Sequence, residues 1–231
     1  MIVGTPQANT ALNAGNITLT FDVPPQEGDV VLVLASPGLV NGGGVTIGAG
    51  YETLQSTPGG TGIYPSKLAR KVMGPTPDTS VLITNLSADG RNTTAALCYV
   101  LRGYEAALLA DLLVAKANAA GTNPVNCPPI TTAAPGSLVL ALAVAFLNSA
   151  VMAGETLANY ANGAGKAEGA GTFDATIRGC TREVAAEGVE DPPAFTPSSA
   201  SWTAYTVALR PSAAAPPVEI LVPSAIDVLI Q

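Results

Sequence analysis

The sequence predicts an all-β protein, an antiparallel and jelly-roll-like β-sandwich made of two related halves, with an extended C-terminal arm. Runs of Val, Leu, Ala and Thr alternate with turn residues, among them 24 glycines and 19 prolines, as is typical of short strands joined by tight turns. Hydrophobic residues make up 48% of the chain but aromatic residues only 5%. The core is therefore expected to consist mainly of aliphatic and small side chains.

Eight segments read as strands, a number that favours a sandwich or jelly roll. They are 17–21, 29–35, 68–73, 80–84, 94–101, 137–146, 172–181 and 202–209. One further segment, 105–120, has leucines at the spacing of one helical face, and it is read either as a helix or as an extended excursion. Lys67, Arg70 and Lys71 are expected to lie along one strand on a solvated face.

Patterns in the first half of the chain return in the second half. The run from Gly28 resembles the run from Gly136, and the strand that ends at Arg102 resembles the strand that ends at Arg210, so both pairs are 108 positions apart. A third match, Glu-Thr-Leu from Glu52, recurs 103 positions later. The conserved order and spacing predict an internal repeat.

The repeat and the composition predict one sandwich domain over residues 1–211, with halves at about 16–104 and 125–211. Either half alone would leave an apolar sheet face uncovered. Residues 212–231 form a Pro-rich spacer and an apolar arm. Alternating apolar residues suit this arm to strand addition at a sheet edge, between subunits or as a last strand on its own sheet. They are Val218, Ile220, Val222, Ile226, Val228 and Ile230.

The charge of the chain argues against two kinds of partner. Seventeen acidic and ten basic residues give a net charge of −7, which opposes binding to nucleic acid and to anionic membranes. The longest apolar run, 138–147, is ten residues, well short of the roughly 20 that a membrane-spanning helix needs. No secretory signal is visible at the N-terminus, so synthesis in a cytoplasm is expected.

No catalytic, metal-binding or cofactor-binding residue is predicted, and the chain is expected not to be an enzyme. It has no histidine, the side chain that most often transfers protons near neutral pH. Cys98, Cys127 and Cys180 lack metal-ligand spacing and are expected to be free thiols. Residues 163–166 lack the flanking residues of a phosphate loop, and the acidic segment 187–191 is expected to be a solvated turn rather than a calcium site.

Three tyrosines in glycine-rich segments are the best candidates for contact with a glycan. Tyr51, Tyr64 and Tyr160 offer rings that can stack on a sugar. The alternative is that each ring is a hydrophobic plug at an end of the sandwich.

Several segments resemble β-sandwich proteins of tailed bacteriophages and phage-like particles. The resemblance extends over residues 16–211. It is carried by 24–35, which reads Pro-Pro-Gln-Glu-Gly-Asp and then six apolar residues, by 68–78, and by the endings Tyr-Val-Leu-Arg-Gly and Val-Ala-Leu-Arg-Pro. It implies a structural role in a virion, as a capsid decoration, spike or tail accessory subunit without catalytic residues.

The expected partners are therefore other virion proteins and copies of the same chain, in a homo-oligomer for which a trimer is favoured. The expected location is the virion. The alternative function is a module that binds host surface glycans through the three tyrosines.

Overall fold

A computed structural model describes residues 1–13, 15–38, 44–58, 64–86, 93–105, 112–148, 150–168 and 174–212, without the side chains of 119–123 and 197–200. The first half contributes β1 (Gln7–Ala11), β2 (Ile17–Thr20), β3 (Val30–Ser36), β4 (Val45–Ile47), β5 (Glu52–Thr57), β6 (Ser66–Val72), β7 (Ser80–Asn85) and β8 (Thr94–Leu101). The second half contributes β9 (Tyr104–Glu105), β10 (Leu112–Val125), β11 (Ile130–Thr132), β12 (Leu138–Ala145), α1 (Ala150–Gly154), β13 (Ala161–Glu168), β14 (Ala175–Glu183), β15 (Gly188–Glu190) and β16 (Phe195–Pro211).

Two five-stranded antiparallel arrays form the centre of the molecule, one from each half. The first has the order β1-β8-β3-β6-β5 and the second has the order β10-β16-β12-β14-β13, with β9 paired to the end of β16. A three-stranded sheet, β2-β7-β4, and a two-stranded sheet, β11-β15, complete the described strands. The predicted all-β antiparallel fold is confirmed.

The two central sheets have the same internal pairing. Val30 lies opposite Leu101 between β3 and β8, and Leu138 lies opposite Leu209 between β12 and β16. Both residues of the second pair are 108 positions after those of the first, the offset that the sequence echo shows. For β6 and β14 the offset is three positions larger. Val31 lies opposite Lys71, and its counterpart Val139 lies opposite Arg182, which is 111 positions after Lys71.

The turns that lead into β3 and into β12 have the same backbone hydrogen bonds. Gly28 N donates to Met73 O at 2.8 Å, and Gly136 N donates to Val184 O at 2.8 Å. Gly28 and Gly136 have φ of 84° and 75°, a left-handed conformation that glycine adopts without a steric penalty. The glycine of the Gly-x-Val/Leu pattern is therefore required by the backbone.

Both faces of each central sheet are buried. Val30, Leu32 and Leu34 meet the equivalent face of the second sheet in one core, and we call this interface the seam. The opposite face of the first sheet packs on β2, β4 and β7. The opposite face of the second sheet packs on α1, on the segments around Val125 and Phe195, and on β11.

All eight segments predicted as strands overlap strands of the structure. The helix considered over 105–120 is wrong where the structure describes it, because 112–120 belongs to β10. The third repeat match also fails, because Glu52 begins β5 whereas Glu155 follows α1. A short cluster of leucines in a long strand can thus have the spacing that is expected of one face of a helix.

Candidate functional site

Buried tyrosines from both halves form hydrogen bonds across the seam, among them Tyr99 and Tyr205. Tyr99 of β8 donates its hydroxyl to Asn162 O of β13 at 3.1 Å. Tyr205 of β16 is hydrogen-bonded to Ser66 at 2.8 Å and to Thr57 at 3.2 Å, across the seam. Each half therefore satisfies a buried hydroxyl of the other, which disfavours separation of the halves.

A buried cation anchors α1 to the second sheet. Arg178 of β14 is 4% exposed and donates to Ala153 O at 2.7 Å and to Thr156 Oγ1 at 3.0 Å. Its Nε has no hydrogen-bond partner among the described residues, and burial lowers the pKa of this guanidinium. The charge is thus solvated by two oxygen dipoles, and no ion pair joins it to a carboxylate among the described residues.

In the first half, the residue at the sheet position equivalent to Arg178 is Lys67. Ala35 faces Lys67 across β3 and β6, and Ala143, 108 positions after Ala35, faces Arg178 across β12 and β14. Lys67 is half-buried, and no hydrogen bond or ion pair joins it to another described residue. Where the second half has α1, the first half has β4, and space remains beside it.

That space is a groove of about 360 Å³ between β4 on one side and β5 and β6 on the other. We call it the β4 groove. Its lining is mainly apolar, with a lysine at the floor: Pro37, Gly44, Val45, Thr46, Ser56, Thr57, Pro58, Pro65, Ser66, Lys67 and Leu86. The volume lies within the range of small ligand pockets.

The next cation on the same face of each strand is paired with an acid. Lys71 donates to Asp78 Oδ2 at 2.7 Å, and the equivalent Arg182 donates to Glu190 Oε1 at 2.8 Å. Arg70, expected on a solvated face, is instead 4% exposed and donates to Glu52 Oε2 at 3.1 Å. In both β6 and β14 two basic residues stand four positions apart, Lys67 with Lys71 and Arg178 with Arg182. This shared spacing is the signal by which the sequence marks the Lys67 and Arg178 positions.

The three candidate glycan-binding tyrosines are not brought together. Tyr64 is fully buried in the seam and donates to Asp174 O at 3.3 Å. Tyr160 is 7% exposed beside α1 and donates to Glu190 Oε1 at 3.0 Å. The Tyr51 ring is partly buried and packs against the core that the first sheet forms with β2, β4 and β7, with Lys71 Nζ 5.6 Å from its centroid. Burial raises the pKa of all three hydroxyls, and the placement matches that of hydrophobic plugs.

The cysteines are buried, free thiols. Burial raises the pKa of Cys98 to about 12 and that of Cys180 to about 11, and it also raises the pKa of Cys127. A thiol with such a pKa is protonated near neutral pH and is a poor nucleophile. Within the described part of the chain, no three Cys, Asp or Glu side chains lie together as metal ligands.

The glycine-rich residues 163–166 and the acidic segment 187–191 both acquire a structural explanation. Residues 163–166 belong to β13, and a Cβ at Gly163 would lie 2.1 Å from Arg178 Nη2. The segment 187–191 includes β15, where Glu190 binds Tyr160 and Arg182. The six predicted arm residues, Val218, Ile220, Val222, Ile226, Val228 and Ile230, lie outside the described residues.

A second cleft, of about 370 Å³, opens at one end of the seam. Tyr104 and Leu138 contribute apolar surface, and Asn159, Asn162 and Glu183 contribute polar groups. Both asparagines have left-handed backbones, with φ of 65° and 49°, which is uncommon for residues other than glycine. The cleft therefore combines an apolar wall with donors and acceptors.

Among the helical residues that the structure describes, none form a segment long and apolar enough to cross a membrane. Comparison with protein-family models, with curated proteins and with solved structures finds no match for the chain. What is inferred about its function therefore depends on the residues and geometry described above.

Proposed function

We propose that the protein is a non-enzymatic structural subunit of a virion, a capsid decoration, spike or tail accessory protein that assembles with copies of itself. The observation that supports this most is that chemically capable side chains are used to hold strands together. Arg178 binds a backbone carbonyl, Arg182 and Lys71 bind carboxylates, and the thiols are buried and protonated. The resemblance of residues 16–211 to phage β-sandwich proteins points in the same direction.

The proposed assembly uses the sandwich body together with the arm after Ser212. Burial of apolar surface between copies contributes roughly 25 cal/mol per Å² before the cost of association. Surface ion pairs contribute much less, and the chain has few charges, 12% of its residues. We expect a homo-oligomer, with a trimer favoured, of subunits of 23.1 kDa.

The test is to image assembled particles that carry the full chain and a version that ends at residue 212. The full chain should appear as a regular feature on the capsid or tail, and the shortened chain should be lost from purified particles. Light scattering on both proteins gives the oligomeric state. Absence of the full chain from particles would overturn the proposal.

The second candidate function is binding of a host glycan, and the cleft at the end of the seam favours it. A sugar ring has an apolar face and a rim of hydroxyls, and the cleft offers Tyr104 and Leu138 beside Asn159, Asn162 and Glu183. The buried Tyr51, Tyr64 and Tyr160 are not needed for this version. Glu183→Gln should weaken binding of a sugar detected by NMR titration at least tenfold, and Glu187→Gln, a nearby exposed acid, serves as the control.

A further inference from the structure

We propose that the β4 groove of one copy receives residues 218–222 of a second copy as an added strand. This inference depends on the self-assembly that is part of the proposed function, and it names the acceptor and the donor. Four observations support it: a free strand edge, an apolar groove beside that edge, a filled counterpart in the second half, and the reach of the chain after Ser212.

The free edge follows from the register of β4 on β7. Gly44 O and Gly48 N both hydrogen-bond to the β7 side, at 2.9 and 3.0 Å, and Thr46 pairs with Thr84 between them. In an antiparallel pair, alternate residues direct their backbone groups to opposite sides. The N–H and C=O of Val45 and Ile47 therefore point away from β7, and no backbone partner for them lies among the described residues.

An added strand beside β4 would continue the three-stranded sheet over the groove. Side chains alternate between the two faces of a strand, so Val218, Ile220 and Val222 would all enter the groove together. Its prolines, Val45 and Leu86 provide apolar contacts for them. Backbone pairing with Val45 and Ile47 supplies affinity, and the groove supplies selection for small apolar residues, as in other strand-addition complexes.

The second half shows what an occupied version of this site contains. The α1 segment covers Arg178 and gives it the Ala153 carbonyl. Lys67, at the equivalent position, lies in the floor of the open groove. The backbone of an added strand would bring carbonyl oxygens to Lys67, just as α1 does for Arg178.

The reach of the chain selects a second copy as the donor. Ser212 N donates to Gly103 O, just beyond the end of β8 that is farther from the groove. Lys67 in the groove is level with Ala96 of β8, which is seven residues from Gly103, and it lies two strands across the sheet, so it is roughly 25 Å away. The six Cα–Cα steps from Ser212 to Val218 extend at most about 22 Å. Val218 therefore cannot enter the groove of its own chain, but it can enter the groove of a neighbour.

The proposal is tested by crosslinking in the full-length protein. A photoreactive benzoylphenylalanine replaces Leu86, an exposed apolar residue that lines the groove, in a mixture of isotopically heavy and light chains. Crosslinks between heavy and light chains at residues 218–222 are expected. Crosslinks that join position 86 only to its own chain, or to no part of 213–231, would overturn the proposal.

Two substitutions give an independent readout in the same full-length background. Ser56→Arg fills the groove, and Ile220→Asp places a charge in the donor; each should lower the association constant at least tenfold in sedimentation velocity. Thr53→Arg, exposed on the same strand outside the groove, and Ile226→Asp, in the second apolar segment, should leave association within twofold. Unchanged association in both groove and donor variants would overturn the proposal.

Particle imaging separates this proposal from the structural function on which it depends. If Ser56→Arg abolishes crosslinking yet the protein still incorporates into particles, the groove contact exists and incorporation has another basis. If crosslinking to 218–222 fails while the full chain is seen on particles, the groove proposal is wrong and the virion function stands.

Discussion

The two halves of the molecule share their strand order and pairing, but the layers that cover their outer faces differ. The first half has a three-stranded sheet, β2-β7-β4, in which the outer edge of β4 pairs with no other described strand. The second half has α1 and only a two-stranded sheet, β11-β15, at the corresponding place. The sheets that meet at the seam therefore constrain each other closely, whereas the outer layers are free to take different forms.

The equivalent basic residues Lys67 and Arg178 show how a difference in the outer layer changes the surroundings of one sheet position. Arg178 is buried, and α1 supplies its oxygen ligands. Lys67 at the equivalent position is half-buried and faces a groove. A cation can be buried only where acceptors are arranged around it, so the outer layer decides whether this position is structural or available to a partner.

The largest expected effect comes from a glycine that lets α1 lie close to β13. A Cβ at Gly165 would lie 2.6 Å from Ala153 O and 2.8 Å from Ile177 O, both backbone atoms. Gly165→Ala should therefore reduce the free energy of unfolding by at least about 3 kcal/mol, as severe overpacking does. Chemical denaturation measures the change. Gly154→Ala, where nothing lies within 4 Å of the new Cβ, is the control and should change stability by less than about 0.5 kcal/mol.

Next in size is the difference between the two equivalent cations. Arg178→Met leaves Ala153 O and Thr156 Oγ1 without their donor and should cost about 2 to 3 kcal/mol of unfolding free energy. Lys67→Met removes no hydrogen bond between described residues and should change stability by less than about 0.5 kcal/mol. Equal losses in equilibrium urea unfolding would contradict the distinction between a filled and an open outer layer.

A smaller effect distinguishes the two equivalent turns. Burial opposes ionisation of Asp29, but hydrogen bonds from Arg102, at 2.7 and 2.8 Å, and from Gln26 N outweigh it, and the pKa falls below its ordinary value of 3.8. Ser137 occupies this position in the second half. Asp29→Asn should cost about 1 to 2 kcal/mol at neutral pH, and Ser137→Ala less than about 1 kcal/mol.

The pH dependence of the Asp29 effect has a definite sign. Because the pKa is lower in the folded protein, the stabilisation is present above the unfolded value of 3.8 and is lost as the pH falls through the folded value. The difference in stability between the wild-type protein and Asp29→Asn should therefore stay constant above about pH 5 and shrink as the pH falls below 3.8. A difference that stays constant over the whole range would show that the carboxylate charge contributes nothing.

The smallest expected effect concerns local opening of the two halves, which is compared by the protection of their cysteine thiols from labelling. Cys98 belongs to the first half and Cys127 and Cys180 to the second, and all are buried. Ellman's reagent near pH 8 should label none of them rapidly in the folded protein and all three in denaturant. Faster labelling of variants that keep only Cys127 or Cys180 would show that the second half opens first. Immediate labelling of native Cys98 would contradict its burial.

Much of the fold could be predicted from local pattern. Apolar runs bounded by Gly and Pro located eight strands, and the repeat offset of 108 positions reappears in the pairing of β3 with β8 and β12 with β16. The edge strands β5 and β13 were not predicted, because half-exposed strands carry polar and small residues that read as loops. Leu112 and Leu113 suggested a helix, since neighbouring leucines suit more than one periodicity.

The candidate site was less accessible to sequence reasoning. Tyr64 looked like a loop aromatic because glycines precede it, yet it packs in the seam against residues more than 100 positions away. Lys67 and Arg178 have the same place in their sheets but different surroundings, and only the fold of the outer layer decides which of them is buried.

The sequence by itself determined an all-β chain with an aliphatic core and two halves of matching pattern, because strand periodicity and turn chemistry are local properties. Only the tertiary structure decided which sheet faces meet, which tyrosines are buried and which strand edge stays open. Those outcomes depend on side chains brought together across the seam and on the layer that covers each sheet. The spacing of residues along the chain does not show which side chains meet across the seam or which layer covers each sheet.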